Sequence, residues 1–364
     1  MSIKPHFHGS DLEKISEYYH IPKESIVNYG GNVNPLGLSE SVKSELGSHL
    51  DIISAYPDRE YTSLRRTIGE YCQVSPAHVI VGNGSSELIA LLIEQCFPKK
   101  TLVLGPTYSE YERELSFSQS SMEYYNLDPE RDFQLDMEAF LKTLEKDYDL
   151  LILCNPNNPT SSVIDNRDLE KILETCQNHH TFVMIDETYV EFTMDIAAVT
   201  AAALVDKYDN FMVLRGVSKF FAAPGLRLGY GISSNKALLK RIKSVQIPWS
   251  LNSIGAFAGE RMLQDVSYIQ KTRELILSER TRMLEELKKI ANIRVFDAAG
   301  NFILIQIKVA GLTANDVFEA CIKKGLMIRD CSSFQCLHGE YVRFCILKPA
   351  DNDRLLDCLK SILS

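Results

Sequence analysis

Long hydrophobic runs are missing from this chain. No uninterrupted apolar stretch could span a bilayer, and the N-terminal MSIKPHFHGSDLEK has no apolar signal-peptide core. Membrane insertion and export are therefore not expected, and a cytoplasmic protein is. A basic excess is missing too. The 39 Lys and Arg are outnumbered by 48 Asp and Glu, giving a net charge of −9, whereas a nucleic-acid footprint needs Lys and Arg clustered in excess on one face. Nine cysteines are present (Cys72, Cys96, Cys154, Cys176, Cys321, Cys331, Cys336, Cys345, Cys358), yet no two form a CxxC pair, and several lie in apolar runs such as LLILC and YVRFCIL. Reduced, mostly buried thiols fit that pattern. Neither an internal repeat nor a low-complexity linker occurs, so the parts of the chain are expected to pack tightly together.

What is present is an ordinary globular composition, 45% hydrophobic and 24% charged, over 364 residues. That length predicts two or three packed units. From roughly residue 60 to residue 245, short apolar runs alternate with amphipathic stretches, as repeated strand–helix units do. HVIVGNG, KKTLVLGP, DYDLLILCNP, HTFVMIDE and NFMVLRG are five such runs, each followed by polar or turn-forming residues. Strands apolar throughout are covered on both faces, which predicts a mostly parallel sheet flanked by helices. A long helical pattern runs from Ser253 to Ile290, and from Asn292 short strands and helices return in NFILIQIKV, ANDVFEACIKKG, LMIRD, YVRFCIL and DRLLDCLKSIL. These predict a separate, smaller C-terminal α/β layer.

Chemistry in such sheets collects beyond the carboxyl ends of the strands. GNGSSE (Gly82 to Glu87) lies between a strand and a helix, where free N–H groups and the helix dipole attract an anion. A plain serine N-cap accounts for it equally well. The dinucleotide fingerprint would need glycine where Glu87 stands, and a P-loop would need Gly-Lys-Ser/Thr, so both are excluded. NPNNPT (Asn155 to Thr160) is either a tight turn or a rigid mount for the Asn158 amide. Asp186 ends a buried strand, where a carboxylate needs a cationic or hydrogen-bonding partner, a protonated ring nitrogen or a following N–H group among them. In RGVSKFFAAPGLRLGY, Lys219 follows a strand and is flanked by Phe220, Phe221, Ala222 and Ala223. Desolvation there favours the free amine that forms imines with carbonyls, and Arg227 could clamp a phosphate. His6 and His8 have no third ligand at a recognisable spacing, so no metal is expected.

Taken together, GNGSSE, NPNNPT, DETYVEF and SKFFAAPGLRLGY resemble, in order, the motifs of fold-type I pyridoxal-phosphate enzymes of the class I/II aminotransferase family. The resemblance covers nearly the whole chain. It implies the aspartate aminotransferase fold, with an N-terminal segment (1–50) packing on the small domain, a large cofactor-binding domain (51–265) and a small C-terminal domain (266–364). It implies pyridoxal 5'-phosphate held by Lys219 as a Schiff base, with Asp186 on the ring nitrogen and Asn158 and Tyr189 on the ring oxygen. Ser85, Ser86, Ser218 and Arg227 would bind the phosphate, and Tyr108 would stack on the ring. Tyr56, in AYPD, resembles a tyrosine that reaches the neighbouring subunit's phosphate, which implies a homodimer with shared sites.

Arg343 in YVRFCI resembles the arginine that anchors a substrate acid group, and Arg329 in LMIRD one found in branches that handle phosphorylated substrates. NVNPLG and these arginines resemble both histidinol-phosphate aminotransferases and the threonine-phosphate decarboxylases of cobalamin side-chain synthesis. HFHGSD and QIPWSLNSIGAFAGERMLQD, which contains Trp249 and Asn252, resemble the decarboxylases more closely; that likeness puts His8 and Asn34 in the substrate pocket. A small phosphorylated amine or amino acid is thus the expected substrate. One departure is Ser161, where the family has glycine after NPNNPT.

Overall fold

The computed structural model describes residues 7, 9 and 11–363. Its strands, in chain order, are β1 (Val27–Asn28), β2 (Val79–Asn83), β3 (Lys100–Gly105), β4 (Ser121–Asn126), β5 (Leu150–Cys154), β6 (Phe182–Asp186), β7 (Phe211–Gly216), β8 (Leu228–Ile232), β9 (Ile293–Val295), β10 (Phe302–Ile307), β11 (Leu326–Met327), β12 (Arg329–Asp330) and β13 (Tyr341–Cys345). A seven-stranded sheet has the order β2-β8-β7-β6-β5-β3-β4. Pairing is parallel from β7 to β4, and β8 alone runs antiparallel to its neighbours β2 and β7. This is the mostly parallel α/β architecture expected from the alternating runs.

Coverage of both faces explains why those runs are so nearly apolar throughout. On β5, Leu150, Ile152 and Cys154 enter one core cluster while Leu151 and Leu153 enter the other. On β7, Met212 and Leu214 face one way and Phe211 and Val213 the opposite way. A side-chain period of two sends neighbours to opposite faces, so a doubly covered strand must be apolar throughout. Two strands lack that signature. β4 (SMEYYN) is an edge strand with its side chains exposed or half-buried, and β8 (LGYGI) is thinned by glycines. Gly229 is needed there: a Cβ would lie 2.2 Å from Ser85 N.

A second, antiparallel sheet has the order β12-β13-β10-β9 and is accompanied by the helices Ala314–Ile322 and Pro349–Leu363. β1 pairs in parallel with β11, which ties residues 27–28 to the C-terminal part. The single helical pattern expected from Ser253 to Ile290 is instead two helices, Ser253–Gln264 and Val266–Leu287. Asp265 breaks it. Its carboxylate caps the second helix by accepting from Tyr268 N at 3.0 Å, and it also accepts from Ser39 Oγ at 2.5 Å. Among the described residues, no helix is long and apolar enough to cross a membrane.

Candidate active site

Beyond the carboxyl ends of β3, β5, β6 and β7 lies a cavity of about 250 Å³, lined by Ser85, Ser86, Tyr108, Asn158, Asp186, Tyr189, Ser218, Lys219, Arg227, Arg329 and Arg343 among others. At one end, the helix Ser85–Cys96 starts directly after Gly84, whose φ of 81° only glycine adopts without strain. A Cβ on Gly84 would come within 2.3 Å of Arg227 Nη2. Glycine thus lets the Arg227 guanidinium sit over a helix N-terminus beside two serine hydroxyls, an arrangement suited to a phosphate. Glu87 is a structural member of the motif: its Oε2 accepts from Asn83 N, Gln246 Nε2 and Ser250 Oγ at 2.7, 3.0 and 3.1 Å.

At the end of β6, Asp186 is buried. Burial pushes its carboxyl above the usual range, opposed by three hydrogen bonds. Thr188 N and Thr188 Oγ1 donate to Oδ1 at 2.9 and 2.5 Å, and Tyr111 Oη donates to Oδ2 at 2.7 Å. Oδ2 keeps a lone pair for one further donor. Lys219, just past β7, donates from Nζ to Gly31 O at 2.7 Å. Burial first, and the Arg343 charge second, lower its ammonium pKa to about 8, within reach of the free amine at neutral pH. Tyr189 Oη accepts from Asn32 Nδ2 at 3.3 Å, and burial keeps that phenol neutral by raising its pKa.

The far wall is cationic. Antiparallel register sets Arg329 on β12 directly against Arg343 on β13. Arg329 donates through Nη1 to Phe7 O and through Nη2 to Ser333 Oγ at 2.8 Å, and lies 5.4 Å from the Phe334 ring centre. Arg343 donates through Nη1 to Asn158 Oδ1 and through Nη2 to Gly30 O at 2.6 Å, while its buried Nε has no partner among the described residues. None of Lys219, Arg227, Arg329 and Arg343 has a carboxylate within ion-pair distance among the described residues. A buried positive wall without its own counter-charge is built for an anionic guest.

One residue expected in this pocket from the sequence lies elsewhere. Asn34 does not line the cavity: its Nδ2 is shared among Phe220 O at 2.7 Å, Thr272 Oγ1 at 2.8 Å and Tyr268 Oη at 2.9 Å, so it fastens the loop instead. Its neighbour Asn32 takes the cavity position, with Oδ1 buried and unpartnered among the described residues. Tyr56 is 80% exposed, stacks near Trp249 at 4.8 Å and is absent from the cavity lining. His8 lies outside the described residues. Asn252 caps the helix Ser253–Gln264 through Gly255 N at 2.7 Å. No cluster of metal-ligating side chains occurs among the described residues.

Sequence reasoning also missed Tyr111, Thr188, Asn32 and Phe334. Tyr111 was legible only as a tyrosine three places after Tyr108, in the first turn of a short helix. Ser161 adopts φ 61° and is buried, with Oγ accepting from Gly300 N at 2.8 Å and its carbonyl from Ala299 N at 3.0 Å. Those bonds from the β9–β10 connection account for a non-glycine residue in a left-handed turn.

Residues 24–359 match the family model for aminotransferase class I and II. The chain belongs to that family. Over 98% of its length it is 31% identical to the threonine-phosphate decarboxylase of Salmonella typhimurium, 96% of which is covered. It superimposes on the histidinol-phosphate aminotransferase of Clostridium acetobutylicum with a TM-score of 0.86 at 32% identity, over 92% of this chain and 98% of that one. A double mutant of Thermus thermophilus aspartate aminotransferase shares the fold, with a TM-score of 0.83 at 20% identity over 100% of this chain and 98% of that one. The family member is an enzyme, and its cofactor is pyridoxal 5'-phosphate. The donor set fits that group: hydroxyls and a guanidinium at a helix N-terminus, a carboxylate with an acceptor site to spare, and a desolvated amine.

Proposed function

We propose that this family member decarboxylates O-phospho-L-threonine or a closely similar phosphoamino acid. The observation that carries the reading is the Arg329–Arg343 pair, two adjacent guanidiniums with no carboxylate partner among the described residues, facing the same cavity as Lys219. A substrate with both a phosphate and a carboxylate supplies two anions for two cations. The likeness to the Salmonella threonine-phosphate decarboxylase supports this choice, and the corresponding pathway would be cobalamin side-chain synthesis.

Bound pyridoxal phosphate supplies a carbonyl carbon for amine capture and an electron sink. In this reading Ser85, Ser86, Ser218 and Arg227 hold its phosphate, Tyr108 covers one face, Asp186 takes the ring N–H, and Asn158 and Tyr189 donate to the ring oxygen. Lys219 would hold the cofactor through its free amine and would be the group placed to deliver a proton at the substrate's Cα. A Cα bond would be weakened where it stood perpendicular to the ring, because only there would its electrons overlap the π system. Arg329 and Arg343 therefore select the reaction by aiming the carboxylate, not the hydrogen, along that direction.

The second reading, transamination of histidinol phosphate with 2-oxoglutarate, is favoured by the likeness to the Clostridium enzyme. Incubation with O-phospho-L-threonine should release CO2 and aminopropanol phosphate. No release, together with glutamate-dependent turnover of imidazole acetol phosphate, would reverse the order.

We also propose that two copies share their sites. Leu50, Ile53, Tyr56, Ile247 and Trp249 are exposed large apolar residues, and several border a groove of about 530 Å³. A soluble chain rarely leaves such a patch uncovered. Sedimentation at micromolar concentration should give a dimer, and Tyr56→Phe should weaken cofactor binding if its hydroxyl reaches the partner's phosphate.

A further inference from the structure

Asp186 has a second aromatic neighbour besides Tyr108. Tyr111 is fully buried on the helix Glu110–Phe117, lines the cavity, and donates to Asp186 Oδ2 at 2.7 Å. Its ring meets that of Tyr108 edge-on, with centres 5.7 Å apart and planes at 88°. The two carboxylate oxygens are not equivalent. Oδ1 receives both Thr188 donors, whereas among the described residues Oδ2 receives Tyr111 alone.

We propose that Tyr111 is a positioning residue that fixes the direction and basicity of the Asp186 carboxylate, and through it the protonation of the cofactor's ring nitrogen. The inference rests on Asp186 being the partner of that nitrogen.

The argument is one of competing donors. Burial favours the neutral acid, and each N–H or O–H donated to the carboxylate favours the anion. The Tyr111 phenol is itself held far above its ordinary pKa by burial, so it stays a donor at every accessible pH. Removing it leaves Oδ2 with no protein donor, makes that oxygen more basic, and draws the shared proton from the ring nitrogen toward the carboxylate. It also frees the carboxylate to rotate about its Cβ–Cγ bond, since the remaining donors converge on one oxygen.

The test is to reconstitute the holoenzyme with pyridoxal phosphate labelled with ¹⁵N in the ring and record the nitrogen resonance for wild type, Tyr111→Phe, Asp186→Asn and a variant with 3-fluorotyrosine at position 111. Tyr111→Phe should move the resonance toward the unprotonated pyridine position and weaken cofactor affinity by about tenfold, the usual cost of losing a hydrogen bond to a charged group. Fluorotyrosine, a stronger donor of nearly equal volume, should move it the other way and decides the matter if Tyr111→Phe does not fold. A resonance unmoved by either change at Tyr111, while Asp186→Asn shifts it, would overturn the role of Tyr111. A resonance unmoved by Asp186→Asn would instead overturn the assignment of Asp186 beneath it.

Discussion

Arg343 donates through Nη1 to Asn158 Oδ1, which fastens β13 of the smaller sheet to the NPNNPT turn beyond β5 of the larger one. The second arm of the same guanidinium holds Gly30 O at 2.6 Å, and Gly31 O accepts from Lys219 Nζ at 2.7 Å. One side chain thus links the cationic wall, the NPNNPT turn and the loop against which the Lys219 amine rests.

Arg343→Ala is expected to leave two buried acceptors without a donor and to remove one substrate anchor. KM for a carboxylate-bearing substrate should rise by about a hundredfold or more. Steady-state kinetics beside Arg329→Ala, with CO2 release and transamination followed separately, would show whether the two arginines set affinity alone or also the choice of bond.

Lys219→Ala should abolish the visible absorbance of the lysine-bound cofactor and lower turnover by at least about a thousandfold, since both capture and proton transfer lose their group. A variant that kept full turnover would sink the assignment of the site.

Cofactor capture by the apoenzyme should depend on pH. Burial lowers the Lys219 ammonium to about 8, and only the neutral amine attacks a carbonyl. Stopped-flow absorbance should show the capture rate rising about tenfold for each pH step of one below that value and levelling off above it.

Gly84→Ala is expected to weaken cofactor binding more than it destabilises the fold. A Cβ there meets Arg227 Nη2 at 2.3 Å and must take φ 81°. The guanidinium can swing away, but the anion cup is then lost. The backbone strain costs the fold roughly 1–3 kcal/mol, whereas losing the Arg227 hydrogen bonds, at roughly 1.5–3 kcal/mol each to a charged group, should raise the cofactor Kd by about a hundredfold in a titration.

Glu191 is buried near the Glu187–Arg215 ion pair, and neither of its carboxylate oxygens has a hydrogen-bond partner among the described residues. Burial raises its pKa from 4.5 to about 7. Between those values the folded state holds a proton that the unfolded state has lost, so this residue makes stability fall as pH rises from 4.5 through 7. Glu191→Gln should remove that penalty, gaining roughly 2–3 kcal/mol at pH 8 and nothing at pH 4. Thermal unfolding of both proteins across that range is the check.

Five strands of the larger sheet, and the residues at their carboxyl ends, were legible in the amino-acid sequence. Double-sided burial imposes unbroken apolar runs on β2, β3, β5, β6 and β7, and the polar residues that end them have few other reasons to be there. β4 was not legible, because an edge strand is free to carry Glu123 and Asn126, nor was the break at Asp265, because a cap within a helical pattern reads as one more polar position.

By itself, then, the sequence determined which chemical groups this protein brings: Lys219, Asp186, Arg227, and two arginines close to its C-terminal end. Only the tertiary structure decided their neighbours. Asn32 faces the cavity where Asn34 was expected, Tyr111 reaches Asp186 from the helix that follows β3, and Arg329 meets Arg343 through sheet register. The physical reason is common to all three. Composition fixes the groups available, but which of two asparagines points inward, or which strand lies beside which, depends on backbone angles and pairing set by contacts far apart in the chain.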